Sequence, residues 1–211
     1  MNKSDTAVLK KPNTHRPETL TLTEGAVMLG VSIVLSLITP FQKILPFGGS
    51  ITLLSMLPVF MFSIRHGVKK GMSVSVLFAV FQFLEGTVKD GLFAWGLTPV
   101  MLSACILFDY LLPFSVLGAA GIFRKKGKAG WIAGSVTVML IRFFSHFLSG
   151  VAVFATSGKI WDDINFVAKN KYVYSLVYNG AFMVPEIILT TIAAFFLFGA
   201  APIKRLMNEK I

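Results

Sequence analysis

The chain has 211 residues, of which 55% are hydrophobic and only 14% charged, with a mean hydropathy of +0.73. That composition excludes a soluble globular domain and specifies a membrane protein; the length suffices for about six helices of roughly 20 residues and leaves no room for a separate soluble domain. The net charge of +10 follows in such a protein from basic loops on one side of the bilayer rather than from nucleic-acid binding, and a single cysteine, Cys105, excludes a disulfide framework or a cysteine metal cluster.

The predicted fold is all-α, a polytopic bundle of six transmembrane helices. Met1 to Leu20 is polar, carries Pro12 and Pro17 and lacks an apolar signal-peptide core, so it reads as a cytoplasmic tail. Span one runs from about Thr21 to Thr39 and stops at Pro40; Ala26 and Gly30 give it a small-xxx-small face that permits close helix contact. Phe41 to Ser50, with its Gly48-Gly49 pair, reads as a structured turn or lid. Span two, about Ile51 to Ile64, is short and contains Pro58, so it is either kinked or shielded by neighbours. A basic loop of Arg65, His66, Lys69 and Lys70 leads to span three, about Gly71 to Leu84. Glu85 to Gly96 is a polar connection ending near Trp95, a residue suited to the interface.

Span four, about Thr98 to Phe123, carries Asp109 and Tyr110 inside it, and Arg124, Lys125, Lys126 and Lys128 form a second basic loop. Span five covers about Trp131 to Ala155. A mixed loop with Trp161, Asp162 and Asp163 precedes span six, about Tyr172 to Phe198, which holds Pro185 and Glu186. With six spans, Lys3, Lys10, Lys11, Arg16 and all the basic-loop residues fall on one side together with Lys204, Arg205 and Lys210. Only Lys43, Lys89, Lys159, Lys169 and Lys171 fall on the other. The positive-inside rule therefore puts both termini in the cytoplasm. Residues 1–20 and 201–211 are predicted cytoplasmic tails around a membrane domain at 21–200.

The stretch RFFSHFLSG, residues 142 to 150, places an arginine, a histidine and a serine within an apolar span. Arginine at a helix centre costs roughly 2.5–3.5 kcal/mol on insertion scales, so such groups face a cavity or a partner. Arg142 and His146 are four residues apart and share a helix face. With about 1.5 Å of rise per residue, Asp109 and Arg142 lie near mid-membrane and His146 in the outer half. A lone mid-membrane carboxylate requires a cation, and Arg142 is the candidate partner for Asp109. That pair is read either as structural or as part of a ligand contact. His146 is read as a ligand contact or as a helix-to-helix hydrogen bond. Tyr110, Phe154, Tyr174 and Tyr178 offer either core packing or an aromatic cage, in which a ring face attracts a desolvated cation by about 2 kcal/mol. Asn179 is costly in lipid and expected at the cavity, and Glu186 has a structural or a pocket role. No metalloprotease, nucleophile-elbow or Walker motif is present, so the chain is not read as an enzyme and needs no cofactor or metal.

The segments GGSITLLSMLPVFMFSIRHG (48 to 67), LFDYLLPFSVLGAAGIFRKK (107 to 126), RFFSHFLSG and YSLVYNGAFMVPE (174 to 186) together resemble the thiamine-specific substrate-binding subunits of energy-coupling-factor transporters. The resemblance covers nearly all of the chain after residue 20. It implies a six-helix protein of the bacterial plasma membrane that binds a vitamin near its outer face and docks on a transmembrane coupling subunit carrying two ATPases. It implies ligand contacts from Asp109, Tyr110, His146, Phe154, Tyr174 and Asn179, and a coupling-subunit contact at Ala26 and Gly30. Where the family has a tryptophan and a glutamate near the start of the second helix, this chain has Gly49 and Leu53. That departure weakens thiamine recognition unless Glu186 or Trp161 offsets it. The expected function is thus capture of thiamine for an ATP-driven importer. The alternatives are a different heteroaromatic vitamin or thiamine precursor on the same fold, or a solitary proton-coupled transporter using Asp109 or Glu186.

Overall fold

A computed structural model describes residues 15–38, 49, 51–52, 54–161 and 164–208. The chain is almost entirely helical: α1 (His15–Leu37), α2 (Leu57–His66), α3 (Val68–Lys89), α4 (Pro99–Cys105), α5 (Leu112–Ser115), α6 (Gly127–Ser149), α7 (Lys171–Leu197) and α8 (Ala201–Asn208). A one-turn 3-10 helix at Leu92–Ala94 precedes α4. A π-helical turn at Ile106–Leu111 joins α4 to α5, a 3-10 stretch at Val116–Lys126 joins α5 to α6, and a second π turn at Gly150–Phe154 extends α6. Among the described residues the all-α expectation misses only a two-residue antiparallel pair, β1 (Gly158–Lys159) with β2 (Val167–Ala168), in the loop before α7.

Among the described residues, four helical stretches are long and apolar enough to cross a membrane: 18–37, 68–89, 99–154 and 171–197. The third, of 56 residues, is folded back on itself. Phe123 leaves helical geometry at φ −102° and Gly127 takes φ +65°, and beyond this turn Gly130 and Gly134 run so close to Phe123 and Ala120 that a Cβ on either would strike their carbonyl oxygens. The outer surface identifies the solvent. On α1, Thr21, Ser32 and Ser36 are buried while Leu22, Val27, Val31 and Val34 are exposed; Val88, Val100 and Phe196 are exposed on other stretches. Apolar outside and small or polar inside is the arrangement for lipid, where helices associate through close contact and hydrogen bonds.

The ten-residue α2 is deeply buried. α2 buries Leu57, Val59, Phe60, Phe62 and Ile64 against Phe78 of α3, Phe114, Leu117 and Met139. Pro58, in the first turn, starts this helix rather than kinking it. The predicted basic loop after it shrinks to one residue, Gly67 at φ +91°, and Lys69 and Lys70 already belong to α3. At the same end, Glu24 of α1 pairs with Arg65 at 3.2 Å and His66 at 3.1 Å, and Arg65 also donates to the Leu206 carbonyl of α8 at 2.5 Å.

Serines hold the crossings together. Ser63 donates to the Gly118 carbonyl at 2.5 Å and accepts from the Gly121 N–H at 3.0 Å; Ser75 donates to the Ser115 carbonyl at 2.6 Å, and Ser145 to that of Phe108 at 2.6 Å. These carbonyls lie in or beside the irregular turns, where neighbouring side chains must complete what the helix leaves open. A Cβ on Gly118 would meet the Ser75 hydroxyl and the backbone of α3. Gly118→Leu is therefore expected to abolish the cooperative thermal transition of the purified protein, because overpacking against backbone cannot relax through side chains; differential scanning fluorimetry in detergent checks this.

Candidate functional site

At the end of the bundle opposite Glu24 and Arg65, a cavity of about 400 Å³ opens among the C-terminal part of α3, the two π turns, the last turns of α6 and the first half of α7. The two π turns account for its position. Each adds a residue to a helical turn, a device that re-aims side chains and recurs at functional sites. The first carries Asp109 and Tyr110, and the second Gly150 and Phe154. All four line the cavity.

Asp109 is held by three side chains. Its Oδ1 lies 3.0 Å from His146 Nδ1, and its Oδ2 accepts from the Ser149 hydroxyl and, at 3.3 Å, from the Cys105 thiol. His146 is 7% exposed and stands edge-on to Phe182, with ring centroids 5.7 Å apart. Its Nε2 is buried without a hydrogen-bond partner. Asn179, on α7, spends its amide N–H groups on the protein: Nδ2 reaches the His146 carbonyl at 3.2 Å, the Ser175 carbonyl at 2.9 Å and the Ser175 hydroxyl at 3.2 Å. Close approach of α6 and α7 makes this possible, since a Cβ on Gly150 would run into the Ser175 hydroxyl and crowd Asn179 Nδ2 at 3.2 Å.

Aromatic rings complete the enclosure. Tyr174 and Tyr178 stack at 6.0 Å and 16°; Trp95 and Phe154 meet at 6.0 Å and 56°. Tyr110 packs over Gly86, which leaves no room for a side chain there, and sits edge-on to Phe83 at 6.0 Å. The structure thus brings Asp109, Tyr110, His146, Phe154, Tyr174 and Asn179 to one cavity.

Two expectations need correction. The Arg142–Asp109 ion pair does not form: among the described residues the ion-pair partner of Asp109 is His146. Arg142 also lines the cavity, but its guanidinium lies over the Phe114 ring at 4.4 Å, donates to Met56 Sδ at 3.0 Å and interacts electrostatically with Glu186. Matching depth along two helices does not match azimuth, and the π turn rotates Asp109 toward the helix turn beyond Arg142. Glu186 is not on the cavity wall. It is 1% exposed and accepts from the Thr52 N–H and the Thr52 hydroxyl, both at 2.7 Å. It anchors the segment leading into α2, and Thr52 itself faces the cavity.

Gly49 lines the cavity and Leu53 lies outside the described residues. Trp161 packs against the cluster around Tyr174 rather than on the wall. An indole and a carboxylate are nevertheless present there from residues that sequence reasoning assigned to a connection, Trp95 and Glu85. Glu85 accepts from Ser36 of α1 at 3.1 Å and pairs with Lys89 at 2.7 Å. Gln82, Glu85 and Gly86 recur on one face of α3, and continuing that helix through Lys89 is the signal that would have found them.

The arrangement suits a small, flat, partly polar organic molecule with a cationic portion. The cavity is of ligand size, carries orphaned polar groups on one wall and offers ring faces around it. The protein-family model described as thiamine transporter protein matches residues 22–206. A curated relative, the thiamine transporter ThiT of Bacillus subtilis (strain 168), is 31% identical over 193 residues, covering 86% of this chain and 91% of the relative. A solved structure of ThiT from Listeria monocytogenes superimposes with a TM-score of 0.61 at 23% identity, covering 90% of this chain and 98% of that one, and supports the fold. A family match spanning nearly the whole chain, with a relative of this identity and coverage, assigns the sequence: the chain belongs to the thiamine transporter protein family.

Proposed function

We propose that this protein is the vitamin-capture subunit of an energy-coupling-factor importer and that its ligand is thiamine. The carrying observation is a ring-lined cavity of about 400 Å³ whose wall includes Asp109, His146 and Asn179. An aminopyrimidine lies against that wall, and the cationic thiazolium sits among Trp95, Phe154 and the tyrosines, with Glu85 at the margin. Ring contact of this kind contributes about 2 kcal/mol to a desolvated cation.

In this reading the membrane domain is residues 21–200 with six spans, α2 being the short second one and the 56-residue stretch supplying two. The tails at 1–20 and 201–211 are cytoplasmic and the cavity faces outside, as the distribution of lysine and arginine supports. No nucleotide-binding motif is present, so energy for release comes from a partner module of a coupling subunit and two ATPases. The α1 face with Ala26 and Gly30 fits its contact: Ala26 is exposed, and a Cβ on Gly30 would meet nothing within 4 Å.

Isothermal titration of the purified full chain with thiamine is expected to give saturable one-to-one binding. Failure to bind thiamine while another heteroaromatic vitamin binds would move the ligand assignment and leave the capture role. Proton-driven uptake by liposomes holding this chain alone would replace the coupling-module reading with that of a solitary transporter.

A further inference from the structure

The end of the bundle opposite the cavity carries a second, open hollow of about 410 Å³, between the Gly67 junction and the end of the 3-10 stretch. Its lining includes three consecutive cations, Arg124, Lys125 and Lys126, and no carboxylate. Among the described residues none of the three is in an ion pair, and Glu24, at the same end, is committed to Arg65 and His66. The arginine is set in place. Its Nη1 donates to the Arg65 carbonyl at 3.3 Å, and it lies so close over Gly67 that a Cβ there would come within 2.9 Å of the same nitrogen. Its backbone carbonyl accepts from the Trp131 indole at 2.9 Å. One edge of the guanidinium is thus held against the protein, and the rest of the exposed planar fork has the geometry that matches a phosphate. Val68, on the same wall, opens α3, whose N-terminus no side chain caps, and the partial positive charge there adds to that of the three cations.

The apolar part of the wall decides which kind of anion fits. Ile122 lines the same hollow and is 61% exposed, at the end of a stretch apolar enough to cross the membrane. The hollow therefore lies where the lipid-facing surface meets the basic end of the bundle. A soluble phosphate would meet the cations and gain nothing from the isoleucine, whereas a phospholipid can place its phosphodiester on Arg124 and its first acyl carbons along Ile122. We propose that this hollow binds the headgroup of an anionic phospholipid, with Arg124 as the positioned phosphate contact and Lys125 and Lys126 selecting anionic over zwitterionic headgroups. Basic pockets between transmembrane helices recognise anionic headgroups in this way. The bound lipid bridges the α2–α3 junction and the turn into α6, two connections that Arg124 already joins through the Arg65 carbonyl. The site is independent of which vitamin the cavity takes.

Dioleoyl phosphatidylglycerol added to the purified full chain in neutral detergent is expected to raise the melting temperature by about 3 °C more than the same amount of dioleoyl phosphatidylcholine. Native mass spectrometry is expected to retain a phosphatidylglycerol on the wild-type chain. Arg124→Gln combined with Lys125→Gln and Lys126→Gln is expected to lose both the difference and the retained lipid, while Lys159→Gln with Lys171→Gln, charges removed away from the hollow, keeps both. Each variant is compared with itself in phosphatidylcholine, so a lower baseline stability does not imitate the loss. If the triple variant shows no transition, lipid retention by Arg124→Gln alone decides: reduced retention supports the site and wild-type retention overturns it. Equal responses to the two lipids, or an undiminished response in the triple variant, would overturn the proposal. Equal stabilisation by inorganic phosphate would overturn it as well, by assigning the hollow to a soluble anion.

Discussion

Replacing Glu186 by alanine is expected to destabilise the protein by about 2–4 kcal/mol, since each buried polar group left unsatisfied costs about 1–3 kcal/mol. The substitution deprives the Thr52 N–H and hydroxyl of their acceptors and removes the negative charge that interacts with Arg142, itself 5% exposed. Thermal unfolding in detergent measures the loss directly. Replacing both charges by apolar residues of similar size, Arg142→Met with Glu186→Leu, is expected to recover part of it, since an apolar pair removes the uncompensated charge. Recovery in the double variant separates an electrostatic cause from a purely steric one.

His146→Ala is expected to weaken thiamine binding by about a hundredfold, read by isothermal titration. The variant removes a polar side chain from the cavity wall and leaves Asp109 Oδ1 without its partner. An unsatisfied buried polar group costs about 1–3 kcal/mol, and each 1.4 kcal/mol is a factor of ten in affinity. The melting temperature is expected to move less than in Glu186→Ala, because the Ser149 and Cys105 bonds to Asp109 remain.

Much of this architecture was legible in the chain because lipid imposes simple rules. Apolar stretches of spanning length located most of the helices within a few residues, and polar residues inside them marked Asp109, His146 and Asn179 as cavity residues. What escaped was set by rotation about helix axes. Hydropathy and rise give depth but not azimuth, so Asp109 and Arg142 were matched by height and are in fact turned to different partners. The π turn that separates them has no distinct signature in ILFDYL, residues 106 to 111. For Glu186 the structural alternative is the one realised: a carboxylate inside a span must face a partner, and the partner is Thr52, not the cavity. Trp95 and Glu85 were hidden by the opposite error, where charged residues at a helix end read as a connection although α3 continues through Lys89.

The single-residue junction at Gly67 and the cluster uniting Glu24, Arg65, His66 and the Leu206 carbonyl have a mechanical meaning. α1, α2, α3 and α8 are stapled at the end far from the cavity, so torque applied to any one of them is delivered to the others with little compliance. A partner pushing on the exposed face of α1 would turn this block as a stiff lever, and the deformable part of the molecule would be the opposite end, where Glu186 and Thr52 tie the segment preceding α2 to α7.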